Sequence, residues 1–88
     1  MNNTIGGTLY VLNIINGSGL HTQVFTTRNK FLENVRNTFK EEAKVYAERM
    51  GIDNDFDIEK SVNSLLMDGF VSPEFTADEY YMSIVELH

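Results

Sequence analysis

The sequence predicts an α+β domain, a two-layer sandwich in which a three-stranded sheet is covered on one face by a long helix. Three patterns support this class: a strand-like pair around a glycine-rich turn, a long segment with helical periodicity, and a closing segment rich in β-branched and aromatic residues. The predicted element order is β-β-α-α-β. The 88 residues fit one domain, predicted at 8–88 after a flexible lead at 1–7.

The first two strands are predicted from residue type and from the turn between them. TLYVLNII at 8–15 is apolar on both faces, which is typical of a central strand. A turn at 16–19 contains two glycines, and residues 20–26 favour the second strand of a hairpin. The uncovered face of this sheet, or an open strand edge, is a candidate partner surface. We expect that face to carry some of the aromatic residues Tyr10, Phe25, Tyr80 and Tyr81.

The long helix is predicted over residues 28–50, where apolar side chains recur at helical spacing. Thr26 or Thr27 is the expected N-cap, and Gly51 is the expected stop. Its outer face carries a basic stripe, which we interpret as a solvated surface.

A second helix is expected to begin after Asp57, a good N-cap, and to stop at Asp68-Gly69. Residues 70–71 are expected to tuck under the domain, and 79–87 to form the last strand. The side chains predicted to share one core against the sheet are Phe31, Val35, Phe39, Val62, Leu65 and Leu66.

Charge is distributed unevenly along the chain. Residues 1–50 carry four acidic and six basic side chains, a net of +2, whereas residues 51–88 carry nine acidic and one basic, a net of −8. The overall charge of −6 disfavours binding to nucleic acid or to an anionic membrane, because both require a positive surface. The absence of cysteine and of any apolar run long enough to span a membrane favours a cytoplasmic protein.

No residue constellation specifies a reaction, so neither an enzyme nor a cofactor is predicted. The acids at 53, 55, 57 and 59 have the spacing that opens an EF-hand calcium loop. Ile58 occupies the position at which the loop requires glycine, and Ser64 occupies that of the bidentate glutamate, so no metal site is expected. His21 and His88 are interpreted as surface residues, and Gly17-Ser18-Gly19 as a hairpin turn, because a strand and not a helix follows it.

The acidic half nevertheless suits a docking role. Carboxylates can take the place of phosphates on a basic nucleic-acid-binding groove of another protein. The alternative is that the acids only maintain solubility. The residues predicted to form a partner-binding acidic patch are Asp53, Asp55, Asp57, Glu59, Asp68, Glu74, Asp78 and Glu79.

Three segments carry a resemblance: Leu9-Tyr10-Val11-Leu12, Val24-Phe25-Thr26-Thr27 and YMSIVEL at 81–87. In their order, and in size and acidity, the chain resembles small acidic proteins of phages and other mobile elements, including anti-CRISPR proteins. The resemblance is one of pattern and covers about 75 of the 88 residues. It implies an inhibitor that binds a host defence protein, most plausibly a CRISPR–Cas effector, in the host cytoplasm and occludes its nucleic-acid site. The alternative is a small homodimeric structural or adaptor protein that pairs through its open sheet, and a third is an enzyme subunit or metal-binding module.

Overall fold

The computed structural model describes residues 7–87 and contains one antiparallel sheet and two helices, which confirms the α+β class. The predicted flexible lead lies outside the described residues, except for Gly7, which begins the first strand. The sheet has four strands, in the order β2-β1-β4-β3, where three were predicted. The elements along the chain are β1 (Gly7–Asn16), β2 (Gly19–Phe25), α1 (Arg28–Met50), α2 (Ile58–Asp68), β3 (Phe70–Val71) and β4 (Glu79–Leu87).

The additional strand, β3, corrects the predicted order to β-β-α-α-β-β. Phe70 pairs with Tyr81 and Val71 with Tyr80, so these two residues extend the sheet instead of lying beneath it. Gly69 adopts a left-handed conformation (φ 75°), which turns the chain from α2 directly into β3. A strand of two residues is too short to show the alternation on which strand prediction depends.

β1 lies inside the sheet, as its apolar character on both faces predicts, between β2 and β4. Directly opposed residues of antiparallel strands share a face. Leu12 lies opposite Gln23 and Met82, and its side chain is fully buried, so this face is the one that the helices cover. Val11 lies opposite Val24 and Ser83 on the other face.

The core lies between the covered face and the two helices. Five of the six predicted core side chains are buried, and the sixth, Leu66, is half-buried against them. Aromatic contacts join the layers, because the Phe39 ring lies 4.9 Å from Tyr80 of β4 and 5.8 Å from Phe75, measured between ring centroids. The buried residues of this core are Leu12, Phe31, Leu32, Val35, Phe39, Ala43, Val62, Leu65, Phe75 and Tyr80.

Both helix boundaries follow the predicted capping residues. The Thr27 hydroxyl accepts a hydrogen bond from the Lys30 amide at 3.1 Å and begins α1. Gly51, at φ 68°, ends α1. The Asp57 carboxylate accepts from the Lys60 amide at 3.1 Å and begins α2.

Candidate protein-binding surfaces

Six of the eight predicted acidic residues are exposed and lie in or around α2. Asp53 and Asp55 belong to the linker between the helices, and Glu74 belongs to the loop that leads away from β3. The exposed carboxylates alternate in the linker with Phe56, which packs against the core, and continue along the outer face of α2. The six are Asp53, Asp55, Asp57, Glu59, Asp68 and Glu74.

Five of these carboxylates line two neighbouring grooves that share Lys60. One shallow groove is lined by Asp55, Asp57 and Glu74 together with Lys60. A second groove, on the outer side of α2, is lined by the same lysine with Asp57, Glu59 and Asp68. We call the five carboxylates Asp55, Asp57, Glu59, Asp68 and Glu74 the α2 acidic surface.

Two members of the α2 acidic surface also have structural contacts. Glu59 accepts two hydrogen bonds from the Arg36 guanidinium, at 2.8 and 3.0 Å. This bidentate pair lowers the pKa of Glu59 and joins α2 to α1. It lies at an exposed site, where solvent screens its contribution to stability. Since Asp57 is the N-cap of α2, Asp55, Asp68 and Glu74 are the members without such a role among the hydrogen bonds of residues 7–87.

The remaining two predicted acids, Asp78 and Glu79, are half-buried and have different neighbours. Glu79 accepts a hydrogen bond from the Tyr81 hydroxyl at 2.9 Å. Asp78 lies in a groove with Glu42 and Arg49 of α1. Burial raises the pKa of Glu42, and the nearby Asp78 carboxylate raises it further.

The same pair of carboxylates affects Tyr80. Burial raises the pKa of its phenol well above the ordinary value, and the negative charges of Glu42 and Asp78 act in the same direction. The sequence gives no signal of the proximity of Glu42 to Asp78, because the two residues are 36 positions apart.

The uncovered face of the sheet differs from the predicted aromatic surface. Of the four aromatic residues considered for it, Tyr81 lies there, with its ring centroid 4.8 Å from that of Phe70. Tyr10 and Phe25 instead contact Phe31 of α1 on the covered face, at ring-centroid distances of 6.0 and 5.8 Å. Tyr80 is buried in the core. Pairing register explains this outcome, since Tyr10 lies directly opposite Phe25 and both share the face of Leu12.

The uncovered face is mainly aliphatic, and we call it the open face. Its apolar members are Leu9, Val11, Ile15, Leu20, Val24, Phe70, Tyr81, Val85 and Leu87. Its polar members are Asn13, Thr22, Glu79 and Ser83. Leu20 and Val24 are 63% and 55% exposed, and Val85 and Ile15 are 43% and 41% exposed. The signal in the sequence was the two-faced apolar pattern of β1, which predicts burial on both sides, whereas α1 and α2 cover only one.

The hairpin turn offers no activated nucleophile. The Ser18 hydroxyl donates to the Asn16 side-chain oxygen at 2.7 Å, so the contact of 3.2 Å between that hydroxyl and the His21 ring leaves the imidazole as donor. A general base requires the opposite direction of hydrogen bonding. No group of three or more metal-ligating side chains suited to holding a metal ion occurs within residues 7–87. Over the same residues, neither helix is long and apolar enough to cross a membrane.

Comparison of the chain with protein-family models, with curated protein sequences and with solved structures finds no significant match.

Proposed function

We propose that this protein acts by binding a partner protein, docking the α2 acidic surface onto a basic nucleic-acid-binding groove and thereby excluding the nucleic acid. The observation that supports this proposal is that five exposed carboxylates line two neighbouring grooves that share Lys60. Because Arg36 neutralises Glu59 and Lys60 stands among the others, the surface retains a net negative charge of about three. Carboxylates in such a cluster can pair with the arginines and lysines that otherwise hold phosphates.

The pattern-level resemblance to anti-CRISPR proteins makes a CRISPR effector complex the first partner class to test. The mechanism is occlusion without catalysis. It requires the acidic residues to remain available to solvent, and the exposed positions of Asp55, Asp68 and Glu74 meet that requirement. Since electrostatic attraction acts at a solvent-accessible surface, we expect the association to be fast and to weaken as salt concentration rises.

The decisive variant reverses charge without removing a structural contact. We select Asp55→Lys, Asp68→Lys and Glu74→Lys together, because this triple variant retains both the α2 cap and the Arg36–Glu59 pair. The matched control is Glu33→Lys, Glu41→Lys and Glu48→Lys, three exposed acids of α1. Each triple variant changes the net charge from −6 to zero, so the two differ only in where the charge is reversed.

Binding is measured by biolayer interferometry against a panel of purified CRISPR effector–guide complexes, together with their ability to bind a target duplex. We expect the parent and the α1 control to bind one complex and to slow its uptake of DNA, and the α2 triple variant to lose both properties. Equal binding by the parent and both triple variants at low salt would exclude the α2 acidic surface as the site. If the parent binds none of the complexes in the panel, these CRISPR effectors are excluded as partners.

A further inference from the structure

We propose that the open face is a homodimer interface, on which a second copy of this chain packs sheet against sheet. This inference is independent of the α2 acidic surface and goes beyond the proposed function. It rests on three properties of the open face: its size, its low charge and the hydrogen bonding of its polar centre.

The open face is large enough for a specific contact. β1, β2 and β4 run side by side, and β1 has ten residues. β2 has seven residues and β4 has nine, so at about 3.3 Å per residue and about 4.8 Å between strands the three strands cover roughly 410 Å² in projection. Packing two copies face to face therefore buries roughly 800 Å² in projection, which is the size of a weak, concentration-dependent interface.

The open face also lacks the charge that characterises the rest of the molecule. Glu79 is its one ionisable carboxylate within residues 7–87, and it already accepts the Tyr81 hydroxyl at one end of the face. A charged partner would leave its own charges unpaired against these aliphatic side chains, which is unfavourable. A second copy presents the same surface, with a single carboxylate within residues 7–87, as a two-fold interface requires. A two-fold axis that makes the strands antiparallel across the interface places the two Glu79 side chains at opposite ends.

Two polar residues near the middle of the face pair with each other. The Thr22 hydroxyl of β2 donates to the side-chain oxygen of Asn13 on β1 at 2.7 Å. This cross-strand bond satisfies a donor and an acceptor that would otherwise lose water when the face is covered. Because the helices occupy the opposite side of the sheet, a sheet-to-sheet dimer leaves both copies of the α2 acidic surface accessible.

The test compares two exposed valines that differ in location. Val24 of the open face is 55% exposed and Val45 of α1 is 50% exposed. The variants Val24→Lys and Val45→Lys therefore introduce the same charge at matched exposure, and Val85→Lys on β4 serves as a second open-face variant. Sedimentation equilibrium and light scattering measure the mass from micromolar concentration upward, and circular dichroism during heating verifies that each variant is folded.

We expect the parent and Val45→Lys to reach twice the 10.1 kDa chain mass. Val24→Lys and Val85→Lys should dissociate, with a dimer dissociation constant raised roughly a hundredfold or more, because each dimer would bury two lysines. Salt should strengthen the dimer or leave it unchanged, since two molecules of charge −6 repel each other and salt screens this repulsion. Docking through the α2 acidic surface should instead weaken with salt, so failure of one proposal is distinguishable from failure of the other.

A parent that remains at the mass of one chain at every concentration would overturn the proposal, and so would a folded Val24→Lys or Val85→Lys that dimerises as tightly as Val45→Lys. If Val24→Lys is unfolded, Val85→Lys decides the result. Loss of the dimer in Val45→Lys alone would assign the contact to α1 and would also overturn the proposal.

Discussion

Phe39 provides the most direct test of how the two layers are held together. Its side chain is fully buried in α1, and its ring contacts Tyr80 of β4 and Phe75 of the loop that precedes β4. Both ring pairs are edge-on, with interplanar angles of 83° and 67°. The perturbation Phe39→Ala removes the ring and both aromatic contacts at once, and leaves a cavity between the helix and the sheet.

The expected loss is large relative to the total stability. Truncating a buried Phe to Ala costs about 3–5 kcal/mol, which includes the cavity left behind. A chain of this length has about 4–13 kcal/mol of unfolding free energy in total. In domains of this size each kcal/mol lowers the melting temperature by about 4–8 °C, so the expected decrease is about 12–40 °C.

The assay is thermal unfolding followed by far-ultraviolet circular dichroism, with Val45→Ala of the same helix as control. Val45 is 50% exposed, so its truncation should change the free energy of unfolding by no more than about 0.5 kcal/mol. A double-mutant cycle with Phe75→Ala should give a coupling of about 0.5–1.5 kcal/mol for the aromatic pair. A melting temperature for Phe39→Ala within about two degrees of the parent would refute the packing described for α1.

Two further predictions concern local features. Gly69→Ala should destabilise the protein by about 1–2 kcal/mol through backbone strain at φ +75°, because an added Cβ would have an ordinary contact of 3.7 Å with the Met82 carbonyl oxygen and no steric clash. Gly17→Ala, where no positive φ is required and the space is open, should have little effect in the same denaturant titration. Equal effects of the two substitutions would contradict the strain argument. Glu42→Gln should raise the melting temperature at pH 7, because a carboxyl with a raised pKa destabilises the fold when it is ionised. This advantage should shrink as pH falls and the carboxyl becomes protonated, and Glu48→Gln, at an exposed site of α1, is the control. An advantage that persists at about pH 4 would contradict the reasoning.

The helices and the hairpin could be predicted from the sequence because their signals are local. Thr27, Gly51 and Asp57 are capping residues whose chemistry acts within three or four positions, and the structure places them at the expected ends. The helical periodicity of α1 identified the buried Phe and Val residues for the same reason. Local chemistry therefore determined the bounds of α1 and α2 almost without tertiary information.

The sheet faces could not be predicted equally well, because register depends on long-range pairing. β1 has apolar side chains on both faces, so its sequence does not show which alternate set meets the helices, and Tyr10 contacts Phe31 although it is a candidate for the uncovered face. β3 becomes a strand only because Gly69 directs it against β4. The grouping of the acids around Lys60 also depends on the loop that brings Glu74 beside α2, 14 positions farther along the chain.

The ladder between β1 and β4 joins the most distant parts of the described chain, which bears on how the chain folds. β1 and β2 pair across a short turn, whereas the β1–β4 ladder joins partners such as Ile15 with Glu79 and Gly7 with Leu87, which are 64 and 80 positions apart. Closing loops of this length has the largest entropic cost in the sheet, so we expect the hairpin to form early and the pairing of β4 to come last. Before that step β1 has an unpaired edge in the middle of the future sheet. The folding rate, and the tendency of partly folded chains to aggregate, therefore depend on how quickly β4 reaches this edge.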